Sequence, residues 1–148
     1  MYGSGAPITM IGLDVTRKTN LREEHIRHLE SAGNPMGHAA GQIMRAMLQR
    51  IRNAGRSDRL LVHDALAVAA IVDPSLVTLQ DFHVDIETQG ELTAGETVAY
   101  REGPMLRSAP LADAGAETSG PAFRPNAKVA VDVDASRFMS LLISRLAG

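Results

Sequence analysis

The chain has no cysteine and no tryptophan, and aromatic residues make up only 3% of its 148 residues. Without cysteine there can be no disulfide, no thiolate metal site and no cysteine nucleophile, and nothing points to an oxidising compartment. Scarce aromatics leave few surfaces on which nucleic-acid bases could stack. With 15 Lys and Arg against 17 Asp and Glu, no excess of positive charge is present to hold a polyanion. Nucleic acid is therefore not an expected partner. No apolar run is long enough to span a bilayer, and the opening Met1-Tyr-Gly-Ser-Gly-Ala-Pro7 lacks the basic and apolar regions of a signal peptide. The expectation is a cytoplasmic soluble protein without membrane contact.

What is present fits one globular domain: 45% apolar and 22% charged residues, in a length able to bury a modest core. Ile8 to Leu13 is apolar nearly throughout, as strands covered on both faces of a parallel sheet are. Such a strand so near the first residue fits either of two readings, a partial domain whose earlier sequence supplies its neighbours or an edge strand at a true terminus. Asn20-x-x-Glu23 resembles a capping box, and Leu21, Ile26 and Leu29 form a helical stripe ending before Gly33. Asn34-Pro35 opens a second helix, with proline where its missing N–H costs nothing. Its stripe of Met36, Ala40, Ile43, Met44, Met47, Leu48 and Ile51 reads as core, ending near Gly55.

After the short run Leu60-Leu-Val62 comes His63-Asp64. Asp64 is placed to cap a helix over Ala65–Val72, closed by Asp73-Pro74 and apolar almost all round, as an internal helix would be. Phe82–Glu87 and Thr97–Tyr100 alternate like half-exposed strands, with Gly90 and Gly95 between them marking a hairpin. Residues 103–125 are rich in Pro, Ala, Gly and Ser without periodicity and read as a flexible surface loop. Lys128–Val133 alternates again, and Asp134 can cap a last helix with Phe138, Leu141, Leu142 and Leu146 inward. The order predicts an α/β fold, an open mixed sheet flanked by helices.

On residue chemistry alone, His63 is a lone histidine beside a helix start, and Asp64 is an N-cap, a cation ligand or both. Asp14, just past a strand end, reads as structural, and Asp132 and Asp134 are explained by alternation and capping. His25 and His28 lie one helical turn apart without a carboxylate cluster, and His38 and His83 have no metal-like arrangement.

Four stretches, in order, carry a family resemblance. They are Ser4-Gly-Ala-Pro-Ile-Thr-Met-Ile-Gly-Leu-Asp-Val-Thr16, Gly33-Asn34-Pro35, Val62-His63-Asp64-Ala-Leu-Ala-Val-Ala-Ala70 with Asp73-Pro74, and Glu87-Thr-Gln-Gly90 through Gly95-Glu-Thr-Val98 with Asn126–Asp134. Together they resemble the inosine-uridine-type nucleoside hydrolases, which cleave the N-glycosidic bond of ribonucleosides. The resemblance implies that His63 stands near the leaving base as general acid and that Asp64 completes a calcium shell. It also implies a ribonucleoside substrate and a homo-oligomer. In that family an Asp-x-Asp-Pro-Gly-x-Asp-Asp motif holds Ca²⁺ and supplies the general base, and no such motif occurs here. The chain is therefore expected to be a single partial domain over 1–148, the C-terminal part of such an enzyme, inactive alone and able to associate with a missing N-terminal part. The other reading is a non-catalytic assembly or binding module derived from the same family. Ala65 stands where many members have proline after His-Asp, and Arg52–Arg59 offers no aromatic residue to a base. Base preference is not assigned.

Overall fold

The structure, a computed structural model of the chain, describes residues 2–56, 58–101 and 124–148. In chain order the elements are β1 (Thr9–Met10), α1 (Leu13–Thr16), β2 (Asn20–Leu21), α2 (Glu23–Glu30), α3 (Pro35–Asn53), β3 (Leu60–Leu61), α4 (His63–Val72), β4 (Val77–Ile86), β5 (Thr97–Tyr100), β6 (Ala127–Val133) and α5 (Ala135–Ala147). They fall into two compact units, Met1–Met10 with Leu79–Val129, and Ile11–Thr78 with Ala130–Gly148. The architecture is α/β with a mixed sheet, as the pattern of elements predicts. No helix among the described residues is long and apolar enough to cross a membrane.

The first unit is built on strands in the order β1-β6-β4-β5. β1 runs parallel to β6, with Thr9 opposite Lys128 and Met10 opposite Val129, while β4 and β5 form the antiparallel hairpin. Val84, Ala127 and Val129 make its core, with Ile8, Met10 and Phe82 packed against them. Asn126 fastens the pairing: its Oδ1 accepts from Val84 N–H at 2.8 Å and its Nδ2 donates to Val84 O at 3.0 Å. Glu87 closes the hairpin loop by accepting from the N–H groups of Gln89 and Gly90, which holds its carboxyl below the usual range. The strand expected over Ile8–Leu13 is shorter than the apolar run. Gly12 turns the chain and Leu13 already begins α1; Thr9 is exposed, and β1 is an edge strand of the described sheet. Of the loop expected over 103–125, residues 103–123 lie outside those described.

The second unit is helical, with β2 and β3 paired antiparallel. Val15, Leu21, Ile26, Leu29, Leu66 and Phe138 are fully buried in it. Because Asn20 and Leu21 are extended against Leu61 and Leu60, α2 cannot start at Asn20 as the capping-box reading expects. It starts at Glu23, with Arg22 at the N-cap, whose backbone N–H donates to His25 Nδ1 at 3.0 Å. The start of α3 is as expected: Asn34 Oδ1 accepts from Gly37 N–H at 2.7 Å. The same side chain donates through Nδ2 to the carbonyls of Leu146 and Ala147, so one asparagine caps the beginning of α3 and the end of α5.

The face that α3 buries is not the one its methionines mark. Gly37, Gly41 and Leu48 are its buried residues, whereas Met36, Ile43 and Met47 are exposed, Ile43 at 62%. A Cβ on Gly41 would lie 2.7 Å from the backbone nitrogen of Glu30, and one on Gly37 would lie 2.7 Å from Leu146 O. The missing side chains let α3 approach its neighbours closely. One turn past Gly41, Arg45 forks onto Glu30 with bonds of 2.5 and 2.7 Å and also reaches Glu23. These bonds hold both carboxyls below the usual range. α4 is likewise not internal to this chain: Leu66 and Ala69 are buried, but Val68, Ile71 and Val72 are exposed, Ile71 at 80%. α5 follows its expectation, with Asp134 accepting from Arg137 N–H and with Phe138 and Met139 buried.

Candidate active site

His63 and Asp64 sit where β3 gives way to α4, within the second unit. β3 pairs with β2, which follows α1 by a few residues, so the short ladder fixes the end of α1 against the start of α4. Buried Val15 and Leu66, both fully inaccessible, lie in the elements that meet there. On this support His63 is half-buried. Its Nδ1 lies 2.8 Å from Oγ1 of Thr16, the buried last residue of α1. The ring is thereby tethered at one nitrogen, with Nε2 left for other partners.

Asp64 is exposed in the first turn of α4 and is not its cap. The helix begins one residue earlier than the capping reading expects. His63 is already helical, Leu66 N–H bonds to Val62 O at 3.3 Å, and Val62 stands at the N-cap without a side-chain hydrogen bond. A carboxylate in the first turn still opposes the positive helix end favourably, and its oxygens are not engaged in capping. Asp14 is exposed in the first turn of α1. Asp132 pairs with Lys18 at 2.7 Å, and that bond holds its carboxyl below the usual range.

A calcium ion takes about six to eight oxygen ligands. Among the described residues no group of three or more His, Asp or Glu side chains is placed to hold a metal ion. One carboxylate at the head of α4 does not make a calcium site, so these residues do not fit the ion by themselves. Beside Asp64 runs an apolar cleft of about 580 Å³, lined by Val68, Val72, Leu141 and Leu142 with Arg145 at its border. Thr16 is the residue whose contact with His63 sequence reasoning missed. Its only signal was its place at the end of Gly-Leu-Asp-Val-Thr, since burial and the spatial approach of α1 to α4 are not written in a local pattern.

Comparison with known proteins bears on what this geometry serves. Residues 1–140 match the family model described as inosine-uridine preferring nucleoside hydrolase. The chain is 33% identical over 138 residues to the non-specific ribonucleoside hydrolase RihC of Klebsiella pneumoniae, which covers 93% of this chain and 38% of that protein. It is 31% identical over 147 residues to RihC of Shigella boydii, covering 99% and 41%. Among solved structures, it is similar to a purine-preferring ribonucleoside hydrolase from Gardnerella vaginalis, with a TM-score of 0.76 at 29% identity over 99% of this chain and 42% of that one. A plant nucleoside hydrolase, the PpNRh1 enzyme, gives a TM-score of 0.79 at 25% identity, covering 99% and 43%. The chain thus spans about two-fifths of the length of these relatives and matches their C-terminal part.

Proposed function

This chain belongs to the inosine-uridine preferring nucleoside hydrolase family, and from that premise we propose that it supplies the leaving-group side of a ribonucleoside-cleaving centre. The observation that carries the reading is the tethered, half-buried imidazole of His63 next to an exposed Asp64 at the head of α4. Breaking the bond from C1′ to the base nitrogen builds positive charge on the sugar and negative charge on the departing base. A proton delivered to that base from a positioned side chain accelerates such a step by about 10²–10⁴-fold. His63 is the donor in this proposal, with Thr16 behind the ring and Nε2 facing the base. Asp64 would be one ligand of a divalent cation, Ca²⁺ in this reading, and that ion, if held, would supply Lewis-acid chemistry to the attacking water. The other oxygens of that shell and the base that takes the water's proton come from a segment corresponding to the N-terminal part of the relatives.

The exposed apolar surface favours a second reading, in which the chain works as a docking module without turnover of its own. Val68, Ile71 and Val72 on α4 are the kind of residues that a covering partner would bury. The test is chromatographic: inosine, uridine, adenosine and cytidine are incubated with the chain in excess calcium, alone and with the N-terminal three-fifths of the Klebsiella relative. No free base is expected from the chain alone, and base release is expected from the mixture. Calcium-dependent turnover by the chain alone would overturn the half-site reading. A stable mixture without turnover would favour the docking module.

A further inference from the structure

Thr16 has no role in what precedes beyond its contact with His63, and that contact has a definite chemical consequence. The residue is 2% exposed, so its hydroxyl has no ready access to water and must use protein partners. Two acceptors are in reach: His63 Nδ1 at 2.8 Å and Leu13 O at 3.4 Å. A hydroxyl has one proton to give. Good O–H donors sit about 2.5–3.0 Å from their acceptors, which the histidine satisfies and the carbonyl does not. Were the ring instead to donate from Nδ1–H, the hydroxyl proton would have only the long contact to Leu13. The rest of the residue is pinned: its N–H bonds to Gly12 O at 3.0 Å, and its carbonyl accepts from Thr19 Oγ1 at 2.7 Å.

We infer that Thr16 is a positioning residue that donates its hydroxyl proton to His63 Nδ1, so that the neutral imidazole carries its own proton on Nε2. A histidine held in this form presents an N–H, rather than a bare nitrogen, at the open edge of its ring. Its catalytic meaning rests on the hydrolase reading above: the neutral ring offers Nε2–H as a hydrogen bond to the base, and delivery of a proton takes the imidazolium, in which the hydroxyl turns to accept from Nδ1–H; the resting tautomer does not depend on that reading. No bond is made or broken in this step. The threonine selects which ring nitrogen holds a proton already present, and it removes the ring flip that would exchange the two.

The test uses the ¹⁵N-labelled chain and long-range ¹H–¹⁵N correlation spectra at alkaline pH, where imidazoles are neutral, with His63→Gln identifying the resonances. The expected spectrum has a protonated Nε2 and an unprotonated Nδ1 at His63. Thr16→Ser should preserve it. Thr16→Val should lower the ratio of the two tautomers about fivefold, the loss of one net hydrogen bond of about 1 kcal/mol. A wild-type His63 with its proton on Nδ1, or a folded Thr16→Val chain with both nitrogens unmoved, overturns the inference. Should Thr16→Val not fold, the wild-type and serine spectra still decide it. Because no substrate is involved, this result is separable from the success or failure of the hydrolysis assay.

Discussion

Replacing Gly41 by alanine sets two effects of opposite sign against each other, and the structure decides between them. Gly41 is in the interior of α3, where alanine gains about 1 kcal/mol of helix propensity over glycine. In a solvent-facing helix that gain would be the whole effect. Here the new Cβ would lie 2.7 Å from Glu30 N, 2.8 Å from Glu30 Cγ and 3.2 Å from Glu30 Cα. Two of those three atoms are backbone, so no rotamer change relieves the contact; α2 and α3 must separate. Overpacking of this kind costs about 1–3 kcal/mol, occasionally more, and the backbone contacts put this case at the upper end. Separation also draws Arg45 away from Glu30, whose fork depends on the same close approach. The net expectation is a loss of about 1–2 kcal/mol, a fall in Tm of about 2–8 °C for a chain of this size. Gly33→Ala is the control, since a Cβ there meets nothing within 4 Å. Thermal unfolding followed by circular dichroism measures both. An unchanged or raised Tm for Gly41→Ala would refute the close-approach argument.

Two further predictions concern the same unit. Asn34→Ala removes a cap worth about 1 kcal/mol together with two hydrogen bonds to the end of α5, whereas Asn34→Ser keeps the cap alone. Urea unfolding should therefore rank the wild type above serine and serine above alanine, and a serine midpoint equal to that of the wild type would remove the role assigned to the amide at α5. Acid should also weaken the unit. The carboxyls of Glu23 and Glu30 are held by Arg45, that of Asp58 by Arg52 and that of Asp73 chiefly by Ser75, all below their ordinary values of 4.5 for Glu and 3.8 for Asp. Folded values below unfolded ones give stability that is fully present above the unfolded values and is lost as pH falls through the folded ones. The urea midpoint should hold near neutrality and fall below about pH 4.5. Arg45→Met should lower the neutral plateau and flatten that acid limb, and parallel curves for the two proteins would contradict it.

Legibility in the sequence followed the range of the interactions involved. The hairpin and the starts of α3 and α5 were readable because they rest on a few adjacent residues: Gly90 and Gly95, Asn34-Pro35, and Asp134. His63 and Asp64 stand out only through the resemblance, since a lone histidine before an apolar helix has no chemistry of its own. Misreadings came where a distant segment decides. The start of α2 moved because β3 holds Asn20 in a strand. Asp64 was displaced from the cap because the helix gained His63. The methionine stripe of α3 and the apolar girth of α4 both promised burial, yet Met36, Ile43 and Met47 on α3 and Val68, Ile71 and Val72 on α4 are exposed. Periodicity shows that a face is apolar, not which partner covers it. Of the face α3 does bury, Leu48 was in the hydrophobic pattern, but Gly37 and Gly41 were not, because their contacts depend on absent side chains. Thr16 was hidden for the same reason, as its partner lies 47 residues along the chain.

Protonation of the leaving base by His63, in a centre completed by a segment corresponding to the N-terminal part of the relatives, is the role proposed for this chain. It is tested most directly by single-turnover base release from inosine in the reconstituted mixture, comparing wild type with His63→Gln at saturating calcium. A fall of about 10²–10⁴-fold in the cleavage rate is expected, with association of the two pieces unchanged. Equal rates for the two proteins would contradict it.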